Sequence, residues 1–191
     1  ATGVAYNAQI MPVRVLDSTN SGYNSNIAAG IRYAANNGAR VINLSLGGPY
    51  PSSEILSAVQ YANQRGAVVV MASGNDGSSQ PDYPARYANQ VGIAVGAVGD
   101  TRRLAYYSNR AGSNPLNFVV APGGAGFSGQ ETRDVNSTLP GGTFGYLNGT
   151  SMAAPHVSGL AALILSANPT LTPAQVISLI TTTANSSAVR V

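Results

Sequence analysis

The sequence predicts an α/β fold, a doubly wound and mostly parallel sheet with helices on both faces. Two observations predict it. Runs with strand character at Gln9–Leu16, Val41–Leu44, Val68–Ala72, Gly92–Val98 and Phe118–Val120 are mostly too uniformly apolar to have one wet face. That is the pattern of strands covered on both sides. Helical patterns alternate with the earlier runs, and a strand, helix, strand succession needs parallel crossovers, because a tight turn cannot deliver a parallel neighbour.

Taken in chain order, Gln9–Leu16 is the first expected strand. The first helix is expected over Asn26–Asn37, with Ile27, Ile31 and Ala34 on one face. Asn37-Gly38 closes it with a residue free to adopt positive φ. After Val41–Leu44, a second helix is expected over Ser53–Gln64 with Ile55, Leu56, Val59 and Ala62 inward, closed by Arg65-Gly66. Val68–Ala72, Gly92–Val98 and Phe118–Val120 continue the sheet. Asp134–Thr138 and Thr143–Leu147 flank Leu139-Pro140-Gly141-Gly142, a hairpin signal. Two helices follow, one from Ser151 to about Ser166 and one opening at Thr172, where Thr172, Pro173 and Gln175 supply an N-cap, a first-turn proline and a capping-box partner. No internal repeat or linker divides the chain, and residues 1–191 read as one domain.

Composition narrows the functional classes. The chain has 191 residues, 44% of them hydrophobic, enough for a continuous core. Ten Lys+Arg against seven acids are thinly scattered, with Arg102-Arg103 the only adjacent basic pair, so no patch suggests nucleic acid. With no cysteine and one histidine, neither a disulfide framework nor a zinc site of the usual kind is expected. Only 9% of residues are charged, and the neutral polar surface this implies fits a secreted enzyme. Val157–Leu165 is too short to span a bilayer and reads as a buried core helix. The N-terminus shows no charged region followed by an apolar run, and Ala1 reads as an internal point of a longer chain.

The strongest chemical signal is Asn148-Gly149-Thr150-Ser151-Met152-Ala153-Ala154-Pro155-His156, which leaves a hairpin through a glycine and enters a helix of small residues. A serine there sits at a helix N-terminus, where backbone N–H groups and the macrodipole favour negative charge. By residue type alone Ser151 would be an N-cap. The segment from Asn148 to Ala162, however, closely resembles the nucleophile motif of the subtilisin family. Val41–Gly48 resembles that family's substrate-binding strand and loop, Val68–Asn75 the strand leading to its oxyanion asparagine, and Val119–Gly123 a further shared segment.

The resemblance implies a serine endopeptidase acting on polypeptides, with Ser151 as nucleophile and Asn75 donating its side-chain amide to the oxyanion. Without it, Gly74-Asn75-Asp76-Gly77 would be an ordinary turn. It also implies that an extended substrate pairs with Ser21-Gly22-Tyr23 on one side and with Ser45 and Leu46-Gly47-Gly48 on the other. Ala72-Ser73-Gly74 would form a second pocket wall. By the same resemblance Asp82, preceding Tyr83-Pro84, would lie at the floor of the primary pocket; such pockets generally favour large apolar side chains, a carboxylate there would add an ion partner for Lys or Arg, and the alternative is a solvated turn aspartate in a Pro-flanked loop. No cofactor is implied; calcium is possible, although Asn117 stands where a carboxylate would strengthen one such site.

A protease of this type needs a histidine base and an orienting aspartate, in the chain order Asp, His, Ser. His156 follows Ser151 by five residues on one helix, so their side chains point roughly 140° apart. It reads as a packing or capping histidine. Asp17 reads as a loop residue, and Thr2–Ala8 resembles the stretch just after the family's histidine helix. The base and acid are therefore expected on a preceding segment, an N-terminal partner to this truncated domain. The chain also stops soon after Thr181–Ala184, without the family's last strand and helix. Two other classes remain in view. Gly124-Ala125-Gly126-Phe127-Ser128-Gly129 is a literal G-x-G-x-x-G, but no helix and no acid about twenty residues on accompany it. A catalytically silent, peptide-binding subtilase-like domain is the closer rival.

Overall fold

The computed structural model describes residues 3–185, 187 and 189. Thr2, at the head of the Thr2–Ala8 resemblance, lies outside them. The first regular element is α1 (Asn24–Asn36), followed by β1 (Val41–Leu44), α2 (Ser53–Gln64), β2 (Val68–Ala72), β3 (Ile93–Val98) and β4 (Phe118–Pro122). A hairpin of β5 (Val135–Leu139) and β6 (Thr143–Leu147) leads into α3 (Thr150–Ala167), and α4 (Pro173–Thr183) follows. Strands β1 to β4 pair in sequence order, all parallel.

The two faces of this sheet carry separate cores, as the period-two geometry of a strand requires. Val69 and Met71 of β2 point to the side of α1 and α2. Val68, Val70 and Ala72 point to the side of α3 and α4, with Ile93, Val95 and Ala97 of β3. Each buried Val or Ile contributes about 1.5–3 kcal/mol by leaving water. Ala153, Ala154 and Ala161 of α3 are fully buried; their small side chains let the helix axis approach the strands closely. By length and composition α3 could span a bilayer, extending well past the apolar Val157–Leu165 stretch. Its buried stripe lies on the sheet, with Leu160 and Leu163 outward.

Gly92 is not part of β3. Its φ of 79° belongs to a turn entering the strand. The capping box at Thr172 forms as expected, with Thr172 Oγ1 accepting from Gln175 N–H and Gln175 Oε1 accepting from Thr172 N–H.

The first expected strand does not form. Gln9–Leu16 joins no ladder among the described residues. It packs against the core cluster that contains α1, with Val13, Val15 and Leu16 half-buried and Ile10 84% exposed. Gly30 permits this contact, since a Cβ there would come within 2.4 Å of Val15. The alternation of apolar side chains is real, but a strand also needs a neighbour to take its N–H and C=O groups.

Candidate active site

The entry to α3 begins at Gly149, the N-cap, with φ 142° and ψ 161°. A side chain is strained in that conformation. Gly149 N–H donates to Gly123 O at 2.8 Å and to the Tyr107 hydroxyl at 3.1 Å. The Tyr107 hydroxyl in turn points its proton at the carbonyls of Gly123 (2.7 Å) and Gly124 (2.9 Å). Burial, above all, pushes the Tyr107 phenol up to about 12.

The first turn of a helix leaves N–H groups without intrahelical acceptors, and here each can be followed. Thr150 N–H donates to Asn75 Oδ1 at 2.8 Å, and the Thr150 hydroxyl donates to the same oxygen at 3.0 Å. The N–H groups of Met152 and Ala153 both reach Gly149 O. Ser151 N–H alone in this turn has no acceptor among the described residues. Because Asn75 Oδ1 faces two donors, the other terminus of that side chain must be the NH2 group, whose hydrogens stay available. A free backbone N–H and a free amide thus lie together at the positive end of an 18-residue helix. That arrangement suits a developing oxyanion.

Ser151 Oγ is itself lightly held. It approaches Ser45 O at 3.5 Å, beyond the usual O–H···O range. Behind it runs a polar tie. Ser45 Oγ donates to Ser151 O (2.8 Å), Asn43 Nδ2 to Ser45 Oγ (2.9 Å), and Ser158 Oγ to Asn43 Oδ1 (2.9 Å). This links the end of β1 to α3 across the sheet edge. His156 plays no part there; its Nδ1 lies 2.9 Å from Met152 O, and since a carbonyl only accepts, that nitrogen carries the proton.

The expected substrate-binding residues divide into groups. Gly48 exchanges both backbone hydrogen bonds with Tyr83 at 2.9 Å, so the free edge is Leu46-Gly47, neither of which has a backbone partner among the described residues. Ala72 and Ser73 have buried side chains, the Ser73 hydroxyl donating to Asn109 O, and the expected wall is committed in its backbone too: Ser73 N–H donates to Val95 O, Ser73 O accepts from Asp82 N–H and Asn109 Nδ2, and Gly74 N–H donates to Thr150 Oγ1 while Gly74 O accepts from Asn109 N–H. Asp82 joins the two walls. Its N–H donates to Ser73 O at 2.8 Å; its Oδ2, together with Asn109 Nδ2, occupies the space a Cβ on Gly74 would need, while a Cβ on Gly47 would be only in ordinary contact with Asp82 Cβ at 3.6 Å. Burial raises its carboxyl above the ordinary aspartate value, the neighbouring Asp76 adds to the rise, and Arg86 opposes it. Ser21, Gly22 and Tyr23 instead line a cleft of about 560 Å3 with Arg14, Leu16 and Asp17. No hydrogen bond of Ser151 or Asn75 reaches it.

Thr150, Asn43 and Ser158 were not singled out from sequence. Thr150 stands inside the quoted motif, and a hydroxyl beside the nucleophile was a usable signal. Nothing in the linear pattern joins Asn43 to Ser158.

The glycine-rich Gly124–Gly129 run enters a short 3-10 turn at Glu131–Arg133 rather than a helix. Asp134 ties it to the active loop, its Oδ1 accepting from Gly126 N–H and its Oδ2 from the Asn148 amide. The Asn117 amide donates to Gly92 O at 3.2 Å, and among the described residues no three carboxylate, His or Cys side chains gather.

A family model described as the subtilase family matches residues 1–190. Subtilisin E of Bacillus subtilis is 49% identical over 178 residues, covering 91% of this chain and 43% of its own length. Subtilisin Savinase of Lederbergia lenta is 45% identical over 174 residues, covering 91% and 60%. Among solved structures, a protease of Pseudoalteromonas arctica superposes with a TM-score of 0.88 at 40% identity, over 97% of this chain and 59% of that one. A cold-adapted subtilisin-like serine proteinase gives 0.85 at 35% identity, over 98% and 64%. The chain spans between 42% and 60% of the length of such curated relatives.

Proposed function

The chain belongs to the subtilase family, and we propose that it is the nucleophile-bearing part of a secreted serine endopeptidase. The observation that carries this is that Thr150 holds Asn75 Oδ1 at the start of α3, which leaves both Ser151 N–H and the Asn75 amide without acceptors among the described residues. Ser151 Oγ attacks the scissile carbonyl carbon and gives up its proton to a histidine on a segment outside this chain, oriented by an aspartate there. The carbonyl π electrons move onto oxygen, where Ser151 N–H and Asn75 Nδ2 receive the charge. Collapse expels the amine, which takes the proton from the base and leaves an acyl group on Ser151 for water to hydrolyse. Donors fixed in advance favour the charged intermediate over the neutral carbonyl.

The polypeptide enters as an extended strand along Leu46-Gly47, with Ser21-Gly22-Tyr23 as its opposite edge; glycines allow main chains to approach closely. Asp82 closes the primary pocket between Gly47 and Gly74, and its carboxylate selects Lys or Arg at the cleaved position. No cofactor takes part. Placement outside the cell is supported by the low proportion of charged residues and the neutral polar surface it implies.

Turnover of a peptide ester, by the chain alone and by the chain supplied with the base-bearing segment, tests the reading. Isolated, it should be nearly inert; completed, it should be active and lose that activity in Ser151→Ala. Strong Ser151-dependent hydrolysis by the isolated chain overturns the external base. Inertness of the completed enzyme overturns the peptidase reading in favour of a silent peptide-binding domain.

A further inference from the structure

We propose that Asn109 is a positioning residue for the oxyanion amide, fixing the backbone on both sides of Asn75. Asn109 follows β3 in a loop and is completely buried, yet every polar group it owns is used. Its backbone N–H donates to Gly74 O at 3.0 Å. Its side-chain oxygen accepts from Asp76 N–H at 3.0 Å and from Ser78 N–H at 2.9 Å, while its Nδ2 donates to Ser73 O at 3.1 Å. The residues before and after Asn75 are thereby held by one side chain and its own backbone.

Asn75 needs such help. It is exposed, and among the described residues its side chain is held only at Oδ1, by Thr150. A side-chain oxygen fixed at one point still swings if the Cα that carries it moves. Two anchors define a direction: Thr150 sets the amide tip, and Asn109 sets its root. Asn109 is itself anchored to the sheet, because Ser108 Oγ accepts from Ala97 N–H of β3 at 2.9 Å and donates to Asn109 O at 3.2 Å. Buried polar groups that are fully satisfied hold one geometry, and a displacement of about 1 Å at a reacting group costs about 100-fold in rate.

This inference rests on Asn75 serving as oxyanion donor, so the experiment is a double-mutant cycle on kcat and KM in the completed enzyme. Asn75→Ala should lower kcat by about 100- to 1,000-fold, a magnitude known from the family itself. Asn109→Ala should lower kcat by about 10- to 100-fold with KM changed less than about twofold. In the Asn75→Ala background the second substitution should cost less than about twofold, because the donor it positions is already gone. An equal loss in both backgrounds, or a loss confined to KM, overturns the inference while leaving the peptidase reading standing. If Asn109→Ala does not fold, Asn109→Ser takes its place in the cycle; failure of both to fold assigns Asn109 to folding and overturns the positioning role. An inert wild-type enzyme overturns both readings.

Discussion

Strand β2 lies between β1 and β3, and every one of its residues is buried. Residues 9–16 have no strand beside them among the described residues, and most are exposed. Fixing a residue's backbone costs about 1–2 kcal/mol in either place. In β2 that cost is offset on both edges by ladder hydrogen bonds and on both faces by burial. In residues 9–16 only Val13, Val15 and Leu16 return anything, through one face against α1. Strand character is therefore a property of a pair, and a β-rich segment shows it only where a partner is present. The two sides of the candidate site also differ: the Asn75 loop is cross-tied by residues distant in sequence, whereas Ser21 bonds only to nearby Asp17 among the described residues and Tyr23 O accepts from the first turn of α1.

The largest expected effect is in hydrogen exchange. Amides of β2 and β3 should exchange at least about 1,000-fold more slowly, relative to intrinsic rates, than those of Gln9–Leu16. Equal protection in a monomer would erase the contrast between the two regions. Adding the segment that carries the base should raise protection in Gln9–Leu16 selectively, if a strand from it supplies the partner.

Side-chain truncation sharpens the same contrast in energy. Met71, fully buried in β2, should cost about 2–5 kcal/mol on replacement by Ala. Ile10→Ala should change stability by less than about 0.5 kcal/mol, because Ile10 is already in water. Urea unfolding of both variants measures the difference. A comparable loss from Ile10→Ala would show the first segment to be packed after all.

A smaller effect concerns specificity at the cross-tied side. In the completed enzyme, Asp82→Asn should lower cleavage after Lys relative to Phe by roughly tenfold. An unchanged ratio would mean that the Asp82 carboxylate does not reach the substrate.

The smallest is a difference in sign with pH. Asp82 has its carboxyl raised by burial, so its contribution to stability is fully present below the unfolded value near 3.8 and is lost as pH rises through the folded value. Asp17, at the end of the unpaired segment, is lowered by hydrogen bonds, first from the Thr19 side chain. Its contribution is present above the unfolded value and lost as pH falls through the folded one. Asp82→Asn should therefore stabilise on the neutral side, and Asp17→Asn should destabilise there. Unfolding midpoints across about pH 3 to 7 separate the two, and parallel shifts would contradict the assignment.

Much of this architecture was legible residue by residue. β1, β2 and α2 form with the bounds that their apolar periodicity predicts, and the Thr172 box closes as its spacing requires. Such features depend on neighbours close in sequence or on burial from both faces, and both leave a local imprint. What was not legible depends on distant partners. Gln9–Leu16 has the imprint without the partner, and the commitment of Gly48 to Tyr83 closes one of the edges that the sequence left open. The roles of Thr150 and Asn109 arise where loops from different strands meet, and no periodicity records a meeting of loops.

The Tyr107 phenol carries a consequence for alkaline conditions. An ordinary surface tyrosine ionises near pH 10 and turns from donor to acceptor. Tyr107, with its value near 12, keeps its proton well beyond that point, and with it the bonds to Gly123 and Gly124 at the root of α3. The hydroxyl that braces the turn presenting Ser151 is thus kept a donor, by its own burial, at a pH where an exposed phenol has become an acceptor.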